Sequence, residues 1–170
     1  MLSSRHGGLT AVAVEPDGKI VALGRSGQPM GPPTVLVLRF TTGGQLDPGF
    51  GQGGQVPVDS LADVSSTLLL QPDGKIVVAG DLGFAAGGRA VLVRYTGDGA
   101  LDPGFGTGGE VTVSEGPENL SALALEPDGK LVAAGMILPD PSEGVPAPSS
   151  SPAMPRMGVQ TRASARAGRC

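Results

Sequence analysis

The chain has 170 residues, which is enough for one domain with a core of its own, and no segment approaches the ~20 apolar residues of a membrane-spanning helix. Its 29 glycines and 16 prolines are typical of either a low-complexity chain or a turn-rich all-β fold, and a hydrophobic content of 39% favours the folded alternative. A net charge of −4 disfavours a nucleic-acid partner, while the single histidine, His6, and the single cysteine, Cys170, cannot supply a zinc site or an internal disulfide.

The first predicted elements form a hairpin followed by two further strands. Ala11–Glu15 is a short apolar run, Pro16–Gly18 supplies a turn in which proline fixes φ and glycine accepts a positive φ, and Ile20–Gly24 is the returning strand. Val35–Phe40 is rich in β-branched and aromatic residues and is predicted to be the third strand. A glycine-rich segment then breaks the chain, and Gln55–Val58 begins a fourth strand.

The same plan recurs along the chain. The tetrapeptide Pro-Asp-Gly-Lys is found at Pro16–Lys19, Pro72–Lys75 and Pro127–Lys130, at spacings of 56 and 55 residues. A second block, VLVLRFTTGGQLDPGFGQGGQVPV over Val35–Val58, returns as AVLVRYTGDGALDPGFGTGGEVTV over Ala90–Val113. The chain is therefore predicted to be built from a repeat of about 55 residues.

Turn residues and aromatic residues define this repeat. Large rings that recur once per unit are expected to be buried in a core, and only Phe84 lies outside the register. The repeat-defining structural residues are Pro16, Asp17, Gly18, Phe40, Phe50, Pro72, Asp73, Gly74, Tyr95, Phe105, Pro127, Asp128 and Gly129.

The predicted strands are apolar on both faces. In Ile20–Leu23 and Val35–Leu38 successive side chains point in opposite directions, yet all of them are hydrophobic. Such strands need cover above and below, as in the face-to-face packing of propeller blades, and no helical period of 3.6 is present. The predicted fold class is all-β: a partial β-propeller of about two and a half four-stranded antiparallel blades with a disordered C-terminal tail.

Three regions follow from the loss of the repeat near the C-terminus. Residues 1–8 are predicted to be a flexible N-terminus, and 9–138 the repeat region, with units at about 9–64, 65–119 and an incomplete 120–138. Residues 139–170, rich in Pro, Ser, Ala and Arg, are predicted to be disordered. Because so few units do not close a ring, the chain is expected to be a fragment of a larger propeller, a truncated product, or one part of an oligomeric ring.

The repeat resembles a known family. QPDGKIVVAG over Gln71–Gly80, followed by VRY over Val93–Tyr95 and LDPGFG over Leu101–Gly106, resembles the delta-60 repeat, a bacterial β-propeller-like tandem repeat of uncharacterised function. The resemblance covers about residues 9–138 and implies many units in large exported or cell-surface proteins, with no catalytic residues. The first ten residues lack the plan of a secretory signal, so the compartment stays open.

Other patterns that suggest chemistry have structural explanations. Gly49–Gly54 and Gly104–Gly109 match G-x-G-x-x-G, but Asp-Pro precedes and a strand follows, so interstrand loops are expected rather than nucleotide sites. Asp47 and Asp102 are expected to initiate turns rather than to bind calcium or serve as general acids. The repeated arginines, Arg39 and Arg94, could line a binding face, but the favoured expectation is a stem on apolar surface with its head in water.

These observations favour a non-catalytic repeat scaffold or interaction module, without cofactor or metal. Its partner is unknown; a protein or a glycan at the blade surface is the expectation, with self-association through an open blade edge. A polysaccharide-active or other propeller enzyme fragment and a non-functional truncated gene product are the alternatives. The isolated chain is expected to be marginally stable.

Overall fold

The computed structural model describes residues 8–26, 34–61, 67–81, 89–113, 119–136 and 159–163, and every helix or strand assigned in these ranges is a strand. The strands form three antiparallel sheets, which we call blades 1, 2 and 3. Blade 1 consists of β1 (Gly8–Val14), β2 (Ile20–Ser26), β3 (Thr34–Phe40) and β4 (Gln55–Pro57). Blade 2 consists of β5 (Thr67–Leu70), β6 (Ile76–Asp81), β7 (Ala90–Tyr95) and β8 (Glu110–Thr112). Blade 3 contains β9 (Asn119–Leu125), β10 (Leu131–Met136) and β11 (Val159–Ala163).

Blades 1 and 2 have the same topology. In each, the four strands are neighbours in chain order and all pairs are antiparallel, so the predicted four-stranded antiparallel blade is confirmed. The two registers match position by position: Ile20 pairs with Phe40 in blade 1, and Ile76 pairs with Tyr95 in blade 2. The Pro-Asp-Gly turn and the glycine-rich loop consequently lie at the same end of blade 1 and of blade 2.

The two central strands of blade 2 are covered on both faces, as the apolar pattern predicts. All six residues of β6 and all six of β7 are buried. Alternate residues of β6 belong to different clusters: Ile76 and Val78 pack with blade 1, whereas Val77 and Ala79 pack with blade 3. Blade-on-blade packing therefore builds two hydrophobic cores with blade 2 between them.

The aromatic residues of the glycine-rich loops are buried in these cores. Phe50 is fully buried in the cluster between blades 1 and 2, and Phe105 is fully buried in the cluster between blades 2 and 3. Tyr95 is also buried, while Phe40, its counterpart in blade 1, is only half-buried. The difference arises because blade 1 covers the face of blade 2 that carries Tyr95.

The C-terminal region contributes one short strand among the described residues. Within 139–170, expected to be disordered, the structure describes only Val159–Ala163 and places it as strand β11, antiparallel to β10. β11 takes the position that β3 and β7 hold in the other blades. β11 pairs with Leu131–Ala134 of β10 along the edge opposite β9, where backbone N–H and C=O groups would otherwise lack partners.

Several predicted features lie outside the described residues. These include Phe84, His6, Cys170, all of the predicted flexible N-terminus (1–8) except Gly8, and most of 139–170.

Candidate functional site

The Pro-Asp-Gly-Lys turns have the same geometry in all three blades. The glycine adopts a positive φ of 86°, 81° and 83° at Gly18, Gly74 and Gly129. The preceding aspartate accepts a hydrogen bond from the lysine backbone N–H at 3.0, 3.3 and 3.1 Å. The aspartates at these positions, Asp17, Asp73 and Asp128, thus stabilise their own turns, and the prolines Pro16, Pro72 and Pro127 open them.

The glycine-rich loops are also formed around an aspartate. Asp47 accepts a hydrogen bond from the Gly49 N–H at 3.0 Å, and Asp102 accepts one from the Gly104 N–H at 3.0 Å. Each loop then leads into a short strand, β4 or β8, instead of a helix. The prediction of interstrand loops is confirmed, and the helix N-terminus that a nucleotide phosphate requires does not follow these glycines.

The two repeated arginines are buried, contrary to the expectation that their heads reach water. Arg94 is 1% exposed and Arg39 is 8% exposed. The Arg94 Nε donates to Asp102 Oδ2 at 2.8 Å, and the Arg39 Nε donates to Asp47 Oδ2 at 3.0 Å. The expectation was wrong because each loop aspartate supplies a counter-charge that compensates the loss of hydration.

Each guanidinium also stacks on the aromatic ring of its own loop. The Arg39 Cζ lies 4.8 Å from the ring centre of Phe50, and the Arg94 Cζ lies 4.4 Å from that of Phe105. Attraction between a cation and the ring face is strongest where water is excluded, as it is here. The strand arginine, the loop aspartate and the loop phenylalanine therefore form one compact unit.

The lysine of the Pro-Asp-Gly-Lys turn completes this unit. Lys19 Nζ lies 3.2 Å from Asp47 Oδ2, and Lys75 Nζ lies 3.3 Å from Asp102 Oδ2. The hydrogen bond to Asp47 raises the pKa of Lys19, and the Gly49 N–H and the two cations lower the pKa of Asp47 despite its partial burial. We call the resulting set of Lys, Arg, Asp and Phe the Lys–Arg–Asp–Phe cluster.

The cluster of blade 1 also reaches blade 2. The second guanidinium nitrogen of Arg39, Nη1, donates to the backbone carbonyl of Gly97. The Gly51 N–H, in the loop that carries Phe50, donates to the Asp98 carbonyl at 2.8 Å. Arg39 therefore connects strand β3 to the loop that follows it, and it also links blade 1 to blade 2.

The charged groups of the cluster are thus engaged within the protein. Glu15 lies close to them, and burial raises its pKa more strongly than the charge of Arg39 lowers it. Gln71 occupies the equivalent position in blade 2, and its Oε1 is buried and has no hydrogen-bond donor among the described residues. An amide in place of the carboxylate argues against a proton-transfer role that the repeated units share.

Blade 3 lacks an equivalent cluster in its described strands. There Lys130 forms a salt bridge with Asp128 of its own turn, and the two side chains are 43% and 50% exposed. The hydrogen bond from Lys130 lowers the pKa of Asp128. In the described ranges, no group of three or more His, Cys, Asp or Glu side chains is arranged to hold a metal ion. No helix in those ranges is long and apolar enough to cross a membrane.

The repeated antiparallel blades, packed face to face through alternating apolar residues, define a β-propeller repeat protein. In agreement, the family described as "Domain of unknown function (DUF5122) beta-propeller" matches residues 15–50 and 71–105. Each matched segment runs from the Pro-Asp-Gly turn to the loop phenylalanine, and so contains one Lys–Arg–Asp–Phe cluster. A search of curated proteins finds no match to the chain.

Proposed function

We propose that this chain is a non-catalytic repeat scaffold, an interaction module whose blades present a surface to a protein or glycan partner. The observation that supports it best is the internal use of the repeated charged residues. Arg94 and Asp102 bind each other and are almost completely buried. The Arg94 guanidinium also stacks on the ring of its loop, and the Asp102 carboxylate also accepts a backbone hydrogen bond within that loop. Residues engaged in this way stabilise blades and are not available to activate a substrate.

We further infer that the repeat is of the delta-60 type. The support is the order of the turn, the Val-Arg-aromatic strand and the LDPGFG loop, all of which contribute to one cluster in blades 1 and 2. This assignment carries the proposal that the chain belongs to an exported or cell-surface protein. Protease treatment of intact producing cells tests it: degradation of the chain is expected, and full protection until lysis would contradict it.

The scaffold proposal is tested with the full chain and a panel of soluble and immobilised polysaccharides. Release of reducing ends reports turnover, and retention on the immobilised panel reports binding. The proposal expects no release above the buffer control. Release that disappears in the Asp47→Asn variant, with the fold retained by circular dichroism, would identify an enzyme instead.

A further inference from the structure

Among the described residues, none covers one apolar face of blade 1. Leu9, Val12 and Val14 of β1 are 57%, 66% and 66% exposed, although neighbouring residues of the sheet are buried. Val12 pairs with Ala22 and Val14 pairs with Ile20, so these valines lie on the face turned away from blade 2. We call this surface the docking face of blade 1. Large apolar side chains side by side on one sheet face are typical of an interaction surface.

The equivalent face of blade 2 shows what such a surface binds. Leu70 corresponds to Val14 and pairs with Ile76, just as Val14 pairs with Ile20. Ile76 is fully buried and packs, together with Leu70, against blade 1, whereas Ile20 is only half-buried. Blade 2 therefore docks onto its predecessor with the same face that blade 1 leaves exposed.

Blade 3 carries the complementary surface. Blade 2 contacts blade 3 through Val77 and Ala79. The corresponding residues of β10 in blade 3 are Val132 and Ala134, and both are half-buried. Ala124 pairs with Val132 and is exposed. We call these three residues the receiving face of blade 3. In both blade interfaces, the first strand of one blade contacts the first hairpin of the blade before it, and blade 3 possesses that hairpin.

We propose that the docking face of blade 1 binds the receiving face of blade 3 in a second copy of this chain. The contact would repeat, between copies, the hairpin part of the interface that joins successive blades within one copy. It is head-to-tail, because the two surfaces differ, and each copy therefore binds one neighbour at each end. This inference rests on the proposed function as an interaction module and names its partner.

Light scattering coupled to size-exclusion chromatography tests the proposal on the full chain. The expected mass rises with concentration above the 16.9 kDa of one copy. Val12→Glu and Ala124→Glu place a charge on the docking and the receiving face, and each variant alone is expected to stay monomeric. Their equimolar mixture is expected to give a dimer of about twice that mass, since the Val12→Glu copy keeps an intact receiving face and the Ala124→Glu copy an intact docking face.

Leu101→Glu is the matched control, because Leu101 is 45% exposed and apolar but belongs to neither face. It is expected to associate like the unchanged chain. Circular dichroism verifies the fold of each variant, and Val14→Lys replaces Val12→Glu if the latter unfolds. A mass of 16.9 kDa at every concentration would overturn the proposal. So would an Ala124→Glu variant that still dimerises, since that indicates pairing of two docking faces. Neither result bears on polysaccharide turnover, so the proposed function is tested separately.

Discussion

Replacing Asp102 by Asn removes the counter-charge of a guanidinium that has almost no contact with water. Arg94 is 1% exposed and Asp102 is 7% exposed. The asparagine oxygen can still accept the hydrogen bond from the Gly104 N–H, so the loop keeps its turn. The amide nitrogen, however, is a donor and cannot accept the bond from the Arg94 Nε. The substitution therefore isolates a buried positive charge.

Removing one partner of a buried ion pair destabilises a protein by about 3–5 kcal/mol. We expect the lower end, about 3 kcal/mol, because the ring of Phe105 still contacts the guanidinium. In a chain of this length 1 kcal/mol corresponds to roughly 2–4 °C, so the thermal midpoint should fall by about 6–12 °C. The double variant Arg94→Met, Asp102→Asn should regain about 2 kcal/mol, since it no longer buries an unpaired charge.

Urea unfolding followed by far-ultraviolet circular dichroism measures the free energy of unfolding of the single and the double variant. Asp73→Asn is the control, because this aspartate lies in the turn of the same unit with a side chain that is 47% exposed. Its effect should stay below about 1 kcal/mol. If the effect of Asp102→Asn falls in the same range, or if the added Arg94→Met lowers stability further, the buried ion pair does not stabilise the blade.

Acid should weaken the same contact. Burial raises the pKa of Asp102, but the Gly104 N–H and the charges of Arg94 and Lys75 outweigh it and hold the pKa below its ordinary value. A lowered folded-state pKa stabilises the protein above the ordinary value of about 3.9, and the contribution is lost as pH falls toward the folded-state pKa. Urea midpoints measured from neutral pH down to about pH 3 should therefore converge for the unchanged chain and Asp102→Asn. A constant difference would contradict this.

Three further changes test the packing. Burial raises the pKa of Tyr95, so the stability of the protein should decline above about pH 10. Tyr95→Phe, which introduces the residue found at Phe40 of blade 1, should remove that decline in thermal unfolding scans. Gly106→Ala should destabilise far more than Gly108→Ala in urea, because both glycines have a positive φ but only at Gly106 would a Cβ overlap the backbone of β8. Phe105→Ala should cost about 3–5 kcal/mol in the same assay, since the ring is fully buried; a loss below about 1 kcal/mol would show that the loop does not plug the core.

The blades could be predicted from the sequence because their signals are local. Strands that are apolar on both faces need cover on both sides, and Pro-Asp-Gly fixes the turn between the first two strands. Val21 and Ile76 are accordingly buried in the same cluster, although 55 positions separate them. The recurrence of the aromatic residues also pointed to the loop phenylalanines that fill the core.

The Lys–Arg–Asp–Phe cluster could not be predicted in this way. Asp47 follows Arg39 by eight positions, and only the return of the glycine-rich loop over its own strand brings them together. A polar residue in a loop is usually solvated, so the sequence favoured a turn for Asp47 and a hydrated head for Arg39. The available signal was that Lys, Arg and Asp each recur once per unit. β11 lacks even this signal, because its pairing depends on an edge formed by β10.

The acceptor of Arg39 in the following blade is a peptide carbonyl, that of Gly97. Every residue type carries such a carbonyl, and the Gly51 N–H likewise binds the main chain of Asp98. The contact with Gly97 and Asp98 therefore does not depend on the side chains that the neighbouring blade carries at these two positions. Substitutions at these two positions can consequently leave this link intact, whereas the apolar side chains that pack between the blades still have to fit one another.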